Sequence, residues 1–499
     1  TRTLGLFQIE SPGQRELVGK LVPDQFNDLV IGISLFRPGP IKSEMITPFL
    51  NARSGATSAN LIHDDLAPIL EQTKGVVVFH EQVIEIIAKM TGSTFGAADQ
   101  MRRNLGDKEK VGEVCDWFYQ RATKAGYSKS VVDYTWQILR DFASFGFCKA
   151  HASAFAMTTY QSAYLKTHHT AAFLAAVLTH EPGMYPKRLI IDEARQWGIK
   201  ILPVDINKSD ATYRVEKVVS EKDKYLYTAP NTKSSGEKLT LPDASGYGIR
   251  VSLADIAGIS ATEIKSIIKN RPYTDLADFT YRSGAHWPTT QILVEIGAFD
   301  LLHEIKKGSK LNRRDLYVHL QELKQLNAGK AASGQLSLAL SPGEIDSLGL
   351  PDITKSEQIG SELQNLGIDI TEHLLKQYAP FLDALNVCKS SELIKVRSNQ
   401  EVLVVGVKVA LQSPPIRSGK RVLFLTLDDG FGCSDLTFFE DAQQSYAHII
   451  KANNLIVAKG VVRRTGARGV SIRASAAWSL DELYEKWLKE QVLMAGVTN

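Results

Sequence analysis

The sequence predicts a multidomain chain of α+β class: a mostly α-helical first region, a helical-hairpin region and a C-terminal β-barrel. Three observations predict it. From Leu4 to about Asn207, apolar residues mostly recur every three or four positions. Residues 208–248 turn polar and rich in Ser, Lys, Thr, Asp and Gly, which breaks that pattern. From Glu401 the apolar period drops to two, in five runs separated by turns. At 499 residues the chain also exceeds what one hydrophobic core organises.

The elements follow in order. Ser11 and Pro12 read as a helix start, with Leu17, Val18 and Leu21 on the buried face. Arg37-Pro-Gly-Pro40 is a rigid turn, because two prolines fix φ. The spacing predicts helices over 76–90 and 130–145, and a short strand at Lys200-Ile-Leu-Pro. Residues 208–248 read as a hairpin with an exposed, mobile tip. A compact helical region runs on to about His303. Residues 304–400 read as a basic helix, a small-residue linker (AGKAASGQLSLALSPGE) and more helix. EVLVVGVKVAL, KRVLFLTLDD, CSDLTFF, NLIVAKGVVRR and GVSIRASAA are the five strands, and a helix over 480–494 ends the pattern. The expected domains are therefore 1–207, 208–303, 304–400, 401–480 and 481–499.

With 44% hydrophobic and 23% charged residues, the composition is that of a soluble globular protein. No run approaches the roughly 18 apolar residues of a membrane span, and the start is not a signal peptide. The expectation is a cytoplasmic protein with no membrane partner. Cys115, Cys148, Cys388 and Cys433 form no C-x-x-C, which argues against a zinc site or a disulfide framework. Net charge is +3, so any affinity for nucleic acid must come from local clusters. The chain opens on Thr1 without Met and runs straight into an apolar pattern, which reads as a fragment or processed piece.

Several motifs could carry chemistry. Arg102 and Arg103, followed by Lys108 and Lys110, make a positive helix end. Guanidiniums grip phosphate oxygens in pairs, so the cluster suits a polyphosphate; a solvated basic face is the alternative. Lys149 and His151 stand beside Ala150, Ala152 and Ser153, which leaves room for a flat, charged ligand; exposed residues near a turn would look the same. Phe155, Tyr160 and Tyr164 follow, and they read as packing the helix core. Arg37 could hold a phosphate or pair with Glu10, and the turn it opens reads as structural. His80-Glu81 invites a zinc-protease reading, but position 84 is Ile, so the second histidine of H-E-x-x-H is missing. In Leu253–Arg271, Gly258 permits a tight turn whose backbone N–H groups can face a DNA phosphate, with Ile259 and Lys265 alongside; a plain structural turn is the alternative. Gln335-Leu-Ser-Leu-Ala-Leu340 is an apolar peptide in a polar linker, to be buried by a partner or by its own domain. The last five strands carry Arg417, Lys420, Arg421, Arg463, Arg464, Arg468 and Arg473, with Phe424, Phe431, Phe438 and Phe439 as rings or as core.

FQIES at the start, SLFRPGPIKSEM, GVVVFHEQV, the Arg102-Arg103 segment and GFCKAH resemble the fingers of the bacterial DNA polymerase III alpha subunit, a C-family polymerase. The later segments resemble its helix-hairpin-helix and OB-fold parts. The resemblance implies a DNA-directed DNA polymerase that works on primer-template DNA and dNTP with other holoenzyme subunits. It implies dNTP binding by Arg102, Arg103, Lys149 and His151, the histidine crowding the ribose 2′ position. Cys148 stands where Asn is expected more often. Gly258, Ile259 and Lys265 would bind duplex DNA, and Arg463, Arg464 and Arg473 a strand on the OB-fold. Gln335, Leu336, Leu338 and Leu340 would dock on the β sliding clamp.

Such enzymes use two Mg ions held by an Asp-x-Asp and a third carboxylate. The chain has no Asp-x-Asp, and Asp64-Asp65 and Asp428-Asp429 sit in turn-like settings. No catalytic or metal-ligating residue is therefore expected here. The palm would lie upstream, and the chain alone would be inactive. An error-prone or translesion relative fits as well, and so does a non-catalytic DNA-binding, clamp-associated module.

Overall fold

The computed structural model describes residues 2–35, 46–58, 61–142, 147–181, 183–219, 244–333, 345–413, 421–465 and 469–497. Arg37 and its turn, the tip of the 208–248 hairpin and the peptide at 335–340 lie outside them, as do Arg417, Lys420 and Arg468. The chain divides into two compact units: Thr1–Tyr164 with Pro414–Val422 and Val462–Ser471, and the remainder. This cut falls at Leu165, inside a helix.

The first unit is helical, as expected. Helix α1 (Pro12–Leu21) starts where Ser11 accepts the Gln14 amide, with Pro12 in the first turn and Leu17 and Leu21 buried. Helices α2 (Phe26–Leu35) and α3 (Ile46–Arg53) are joined by Arg53, which donates to Asp28 at 2.5 and 2.8 Å. A second cluster is built by α4 (Ala67–Leu70), α5 (His80–Thr91), α6 (Phe95–Asn104), α7 (Val111–Lys124) and α8 (Lys129–Phe142). Leu70, Val83, Ile86, Ile87, Met90 and Phe118 fill its centre. Residues 76–79, expected in the helix, are extended instead: Phe79 bridges Phe147, and the helix begins at His80. Gln82 sets that start, because its Oε1 accepts both the Val78 and Phe79 amides.

Helix α9 (Lys149–His168) corrects the reading of its aromatics. Ala152, Ala156 and Thr159 form the buried stripe, at i, i+4 and i+7. Tyr160 and Tyr164, which flank that stripe, are 53% and 51% exposed, not in the core. Small residues let the helix lie close on its buried side, so the large rings are displaced outward.

In the second unit, α10 (Thr170–Thr179) and α11 (Lys187–Gln196) precede a three-stranded sheet. Strand β1 (Lys200–Leu202) pairs parallel with β3 (Tyr247–Arg250), and β2 (Arg214–Lys217) pairs antiparallel with it, Arg214 opposite Arg250. Two helical hairpins follow, containing α12 (Ala261–Lys269), α13 (Leu276–Arg282) and α14 (Trp287–Glu295). Then come α15 (Arg313–Ser333), α16 (Lys355–Leu366), a 3-10 turn at Leu374–Tyr378 and α17 (Ala379–Leu385).

Strands β4 (Glu401–Gln412), β5 (Leu423–Asp428), β6 (Cys433–Phe438), β7 (Leu455–Thr465) and β8 (Gly469–Ser479) close a barrel in the order β4-β5-β6-β8-β7. That order is the OB-fold's, and helix α18 (Glu440–Ala452) sits between β6 and β7. Gly406 is required by closeness: a Cβ there would fall 2.6 Å from the Leu427 Cβ. Helix α19 (Leu480–Val497) follows the barrel.

Glu263 locks the two helical hairpins together. Its Oε2 accepts the Ser260 amide at 2.9 Å and the Ser260 hydroxyl at 2.8 Å. Its Oε1 accepts the His286 amide at 2.9 Å and the Thr289 hydroxyl at 2.8 Å. Burial alone would raise its pKa, but these four donors outweigh burial and hold the carboxyl at about 2. A depressed carboxyl stabilises the fold above its unfolded pKa and stops doing so as pH falls through the folded one. Glu263→Gln should therefore cost on the order of 3 kcal/mol at neutral pH. It should also flatten the fall in stability between about pH 4.5 and 2. Denaturant unfolding as a function of pH measures both, and an unchanged profile would contradict the assignment.

Candidate functional site

The nucleotide residues expected from the sequence fall on two helices, α6 and α9. Arg102 and Arg103 end α6, and both grip one carboxylate. Arg102 donates from Nε to Asp99 Oδ1 at 2.9 Å, and Arg103 donates to Asp99 Oδ2 at 3.0 and 2.7 Å. The Arg103 hydrogen bonds first, then those of Arg102, hold the Asp99 carboxyl below its ordinary range. Each guanidinium meets Asp99 along one edge of its planar fork, so its other terminal nitrogen is not used by that carboxylate. Arg103 is 66% exposed. Burial, and next the charge of Arg102, lower the pKa of His80 at the start of α5.

The same end of α5 holds the start of α9. Glu81 accepts the Lys149 amide through both carboxylate oxygens, each at 3.0 Å, and so caps α9. The His80 amide donates to the Phe147 carbonyl at 3.0 Å. Lys149 Nζ donates to Gln72 Oε1 at 2.6 Å and lies 5.7 Å from the Phe79 ring centroid. His151 is exposed, with its ring 5.2 Å from Phe147 and 4.1 Å from Phe155. Phe155 is in turn edge-on to Phe7 at 5.4 Å. Lys149 is thus tied to the start of α5 through Glu81, while Arg102 and Arg103 are tied to Asp99 on α6. Chemically, the arrangement offers cations in fixed orientation beside an exposed imidazole set on aromatic rings.

Sequence reasoning missed the groups that orient these cations. Asp99 was legible, because i,i+3 and i,i+4 spacing puts it under both arginines. Glu81 and Gln72 were not, since they act across 68 and 77 residues of chain. Of the two acidic pairs, one is in a turn as expected and the other differs. Asp64 and Asp65 open a 3-10 turn, and Asp65 accepts the Tyr127 hydroxyl at 2.9 Å. Asp428 is not in a turn: it is the last residue of β5 and fully buried.

In the second unit, Gly258 (φ +75°) lies in an exposed hairpin just before α12, with Ile259 half-buried and Lys265 exposed on the helix. The barrel carries a cationic aromatic face. Phe424 on β5 is opposite Thr437 on β6, which is opposite Arg473 on β8. The Arg473 guanidinium lies 5.2 Å from the Phe439 ring, and Lys389 lies 4.8 Å from that of Phe431. Phe424 is 37% and Phe431 49% exposed, whereas Phe438 is core. Arg463 and Arg464 lie on β7 beyond its last pairing with β4, and belong to the first compact unit rather than with Arg473. Gln335, Leu336, Leu338 and Leu340 lie outside the described residues. Among the described residues, no helix is long and apolar enough to cross a membrane.

Comparison with known proteins gives three matches along the chain. Residues 1–126 match the bacterial DNA polymerase III alpha subunit finger domain. Residues 198–309 match a helix-hairpin-helix motif, and residues 402–480 an OB-fold nucleic acid binding domain. The error-prone DNA polymerase of Symbiobacterium thermophilum is 35% identical over 512 residues, covering 96% of this chain and 45% of that protein. The DNA polymerase III subunit alpha of Campylobacter jejuni is 30% identical over 464 residues, covering 91% and 37%. The error-prone DNA polymerase of Teredinibacter turnerae is 30% identical over 474 residues, covering 93% and 42%. The chain spans less than half the length of these relatives. From finger domain through helix-hairpin-helix motif to OB-fold, it belongs to the family of the bacterial DNA polymerase III alpha subunit.

Proposed function

We propose that this chain supplies the nucleotide-holding and DNA-holding parts of a DNA-directed DNA polymerase. The observations that support the reading are the pair of guanidiniums held by Asp99 at the end of α6 and the capped start of α9 that carries Lys149 and His151. A triphosphate arriving there meets cations whose orientation already exists, so little reorganisation is needed as charge develops. In the reaction, the primer 3′-OH attacks the α-phosphorus of a dNTP and pyrophosphate leaves. Arg102, Arg103 and Lys149 balance charge on the phosphates. His151, braced by Phe147 and Phe155, stands against the sugar and penalises a 2′-hydroxyl by crowding. The carboxylates that hold the two Mg ions of this chemistry are supplied from outside the chain, which contains no Asp-x-Asp.

The division of labour follows the motifs. Residues 1–207 hold nucleotide. Residues 208–303 hold the duplex through the hairpin at Gly258, Ile259 and Lys265, a contact that ignores base sequence. Residues 304–400 carry the clamp-docking peptide Gln335–Leu340, and 401–480 hold single strand, with Arg463, Arg464 and Arg473 as cations. Helix 481–499 closes the barrel domain. The working partners are primer-template DNA, dNTP, the β sliding clamp and the other holoenzyme subunits, in the cytoplasm. The 35% identity to an error-prone polymerase favours that branch as a second reading, tested by misincorporation on undamaged template.

Three outcomes test the proposal. In a polymerase that contains this chain, Arg102→Ala with Arg103→Ala should lower kcat/KM for dNTP by at least about a hundredfold, since a donor to the developing charge is worth roughly 2.7 kcal/mol or more. Steady-state incorporation kinetics would expose an error as unchanged values. His151→Ala in the same enzyme should leave dNTP use nearly intact and raise rNTP incorporation; equal sugar selectivity would remove His151 from the pocket. On the barrel, Phe424→Ala should weaken oligo(dT) binding by about tenfold, as lost base stacking does. Arg473→Ala should reduce the salt slope by about one counterion. Fluorescence anisotropy across a salt series measures both, and wild-type curves for both variants would move the strand elsewhere.

A further inference from the structure

Helix α11, the Leu374–Tyr378 turn and the end of β5 meet at a buried gap within the second unit. Three side chains point into it: Asp192, His373 and Asp428, which are 1%, 5% and 0% exposed. Their Oδ2, Nε2 and Oδ2 atoms all lie within 4.8 Å of one another. Among the described residues, none of these three atoms has a hydrogen-bond partner. Buried polar atoms are rarely left this way, and here three orphans face each other.

The distances define what would fit. His373 Nε2 stands 3.6 Å from Asp192 Oδ2 and 3.5 Å from Asp428 Oδ2. Both separations exceed an ordinary N–H···O hydrogen bond of roughly 2.7–3.2 Å. They are close to the edge of a tetrahedron whose ligands sit about 2.0–2.2 Å from a central cation, an edge of about 3.3–3.6 Å. The second oxygen of each carboxylate is occupied elsewhere: Asp192 Oδ1 accepts from Arg195 at 2.5 Å, and Asp428 Oδ1 accepts the Gly430 amide at 3.0 Å. Both carboxylates are therefore oriented from behind, as in built metal sites. Gly430 (φ +80°) makes room for the imidazole, because a Cβ there would fall 2.9 Å from His373 Cγ.

Charge points the same way. Four buried carboxylates (Asp192, Asp369, Asp428, Asp429) surround the gap, against two guanidiniums, Arg188 and Arg195.

We propose that Asp192, His373 and Asp428 form a structural binding site for one divalent transition cation of the zinc or manganese kind. An imidazole with two carboxylates and no thiolate suits such ions better than Cu(I) or the oxygen-preferring Mg. The cation would fasten α11 to the barrel wall, and it takes no part in nucleotide chemistry. The competing occupant is a proton. His373 Nδ1 accepts the Leu375 amide at 3.2 Å, which leaves the neutral ring's proton on Nε2. A cation at Nε2 moves that proton to Nδ1 and breaks the amide contact.

The test uses the 499-residue chain, stripped with chelator and then titrated separately with Zn²⁺ and with Mn²⁺. Metal content after gel filtration, calorimetric Tm and exchange of the Leu375 amide are read together. Wild type should retain one equivalent more of at least one ion than Asp428→Asn and His373→Gln, gain Tm on loading, and lose protection at Leu375. Each variant should bind that ion at least tenfold more weakly. Asp428→Asn lowers the charge in the gap, so its metal-free form should unfold no earlier than metal-free wild type, which separates ligand loss from misfolding. Equal metal content in wild type and both variants for both ions overturns the site. So does a wild-type Tm that metal leaves unchanged while stability falls as pH rises from 5 to 8, which would assign the gap to a shared proton.

Discussion

The second unit depends on one helix whose charges are buried rather than solvated. In α11, Arg188 through Ala194 are all buried, and its polar residues reach several separate parts of the chain. Lys187 pairs with Asp255 at 2.7 Å, just before the first helical hairpin. Arg188 pairs with Asp369 at 3.0 Å, and Arg195 donates to the Asp369 and Ile370 carbonyls. Glu193 holds Lys166 at 2.7 Å and the Trp197 indole at 3.0 Å. Asp192 turns toward the barrel. Such pairs add little net stability when complete, but breaking one costs about 3–5 kcal/mol because a charge is left without a partner. Each one therefore specifies position: a displaced neighbour strands a buried ion.

The first unit uses charge differently. Arg103 lies at the surface and Arg102 is half-buried, both aimed by Asp99, while Glu81 fixes the start of α9. Exposed pairs of this kind contribute little to folding. Their use is orientation, since a fork already held along one edge presents its other edge in a fixed direction. The small-residue stripe of α9 serves the same end. By burying Ala152 and Ala156, it leaves His151 and the tyrosines outward.

Much of this was legible in the sequence, and what was not has physical reasons. Period-two alternation located all five barrel strands, and Ser11-Pro12 marked a helix start, because both signals are local. The break at 208–248 was visible as composition. The tyrosines of α9 were misread because spacing reports a shared face without saying which face is buried; the alanines decide that. The extended run before His80 was misread as helix because apolar spacing cannot register a bridge to Phe147, 68 residues on. Asp428 looked like a turn residue because Asp-Asp-Gly usually is one. Its burial depends on His373 and Asp192, which lie far away in sequence.

Strand β5 brings the two uses of charge together. Leu423, Leu425 and Leu427 fill the barrel, so alternation puts Phe424, Thr426 and Asp428 on its outer side. At one end of that row Phe424 meets solvent. In the middle Thr426 donates to Asp435 at 2.8 Å on the neighbouring strand. At the other end Asp428 is sealed under His373 beside Asp192. Four residues of strand span about 13 Å, so the exposed ring and the buried carboxylate belong to one short rigid element. The angle at which the barrel offers Phe424 to a ligand is then set by the charges at the far end of its own strand. A barrel held there only by apolar contacts could slide at little cost, because hydrophobic burial is non-directional. A barrel held by a converging imidazole and two carboxylates has one seating. The polar cluster is thus the feature that gives the exposed ring on this strand a defined direction relative to α11.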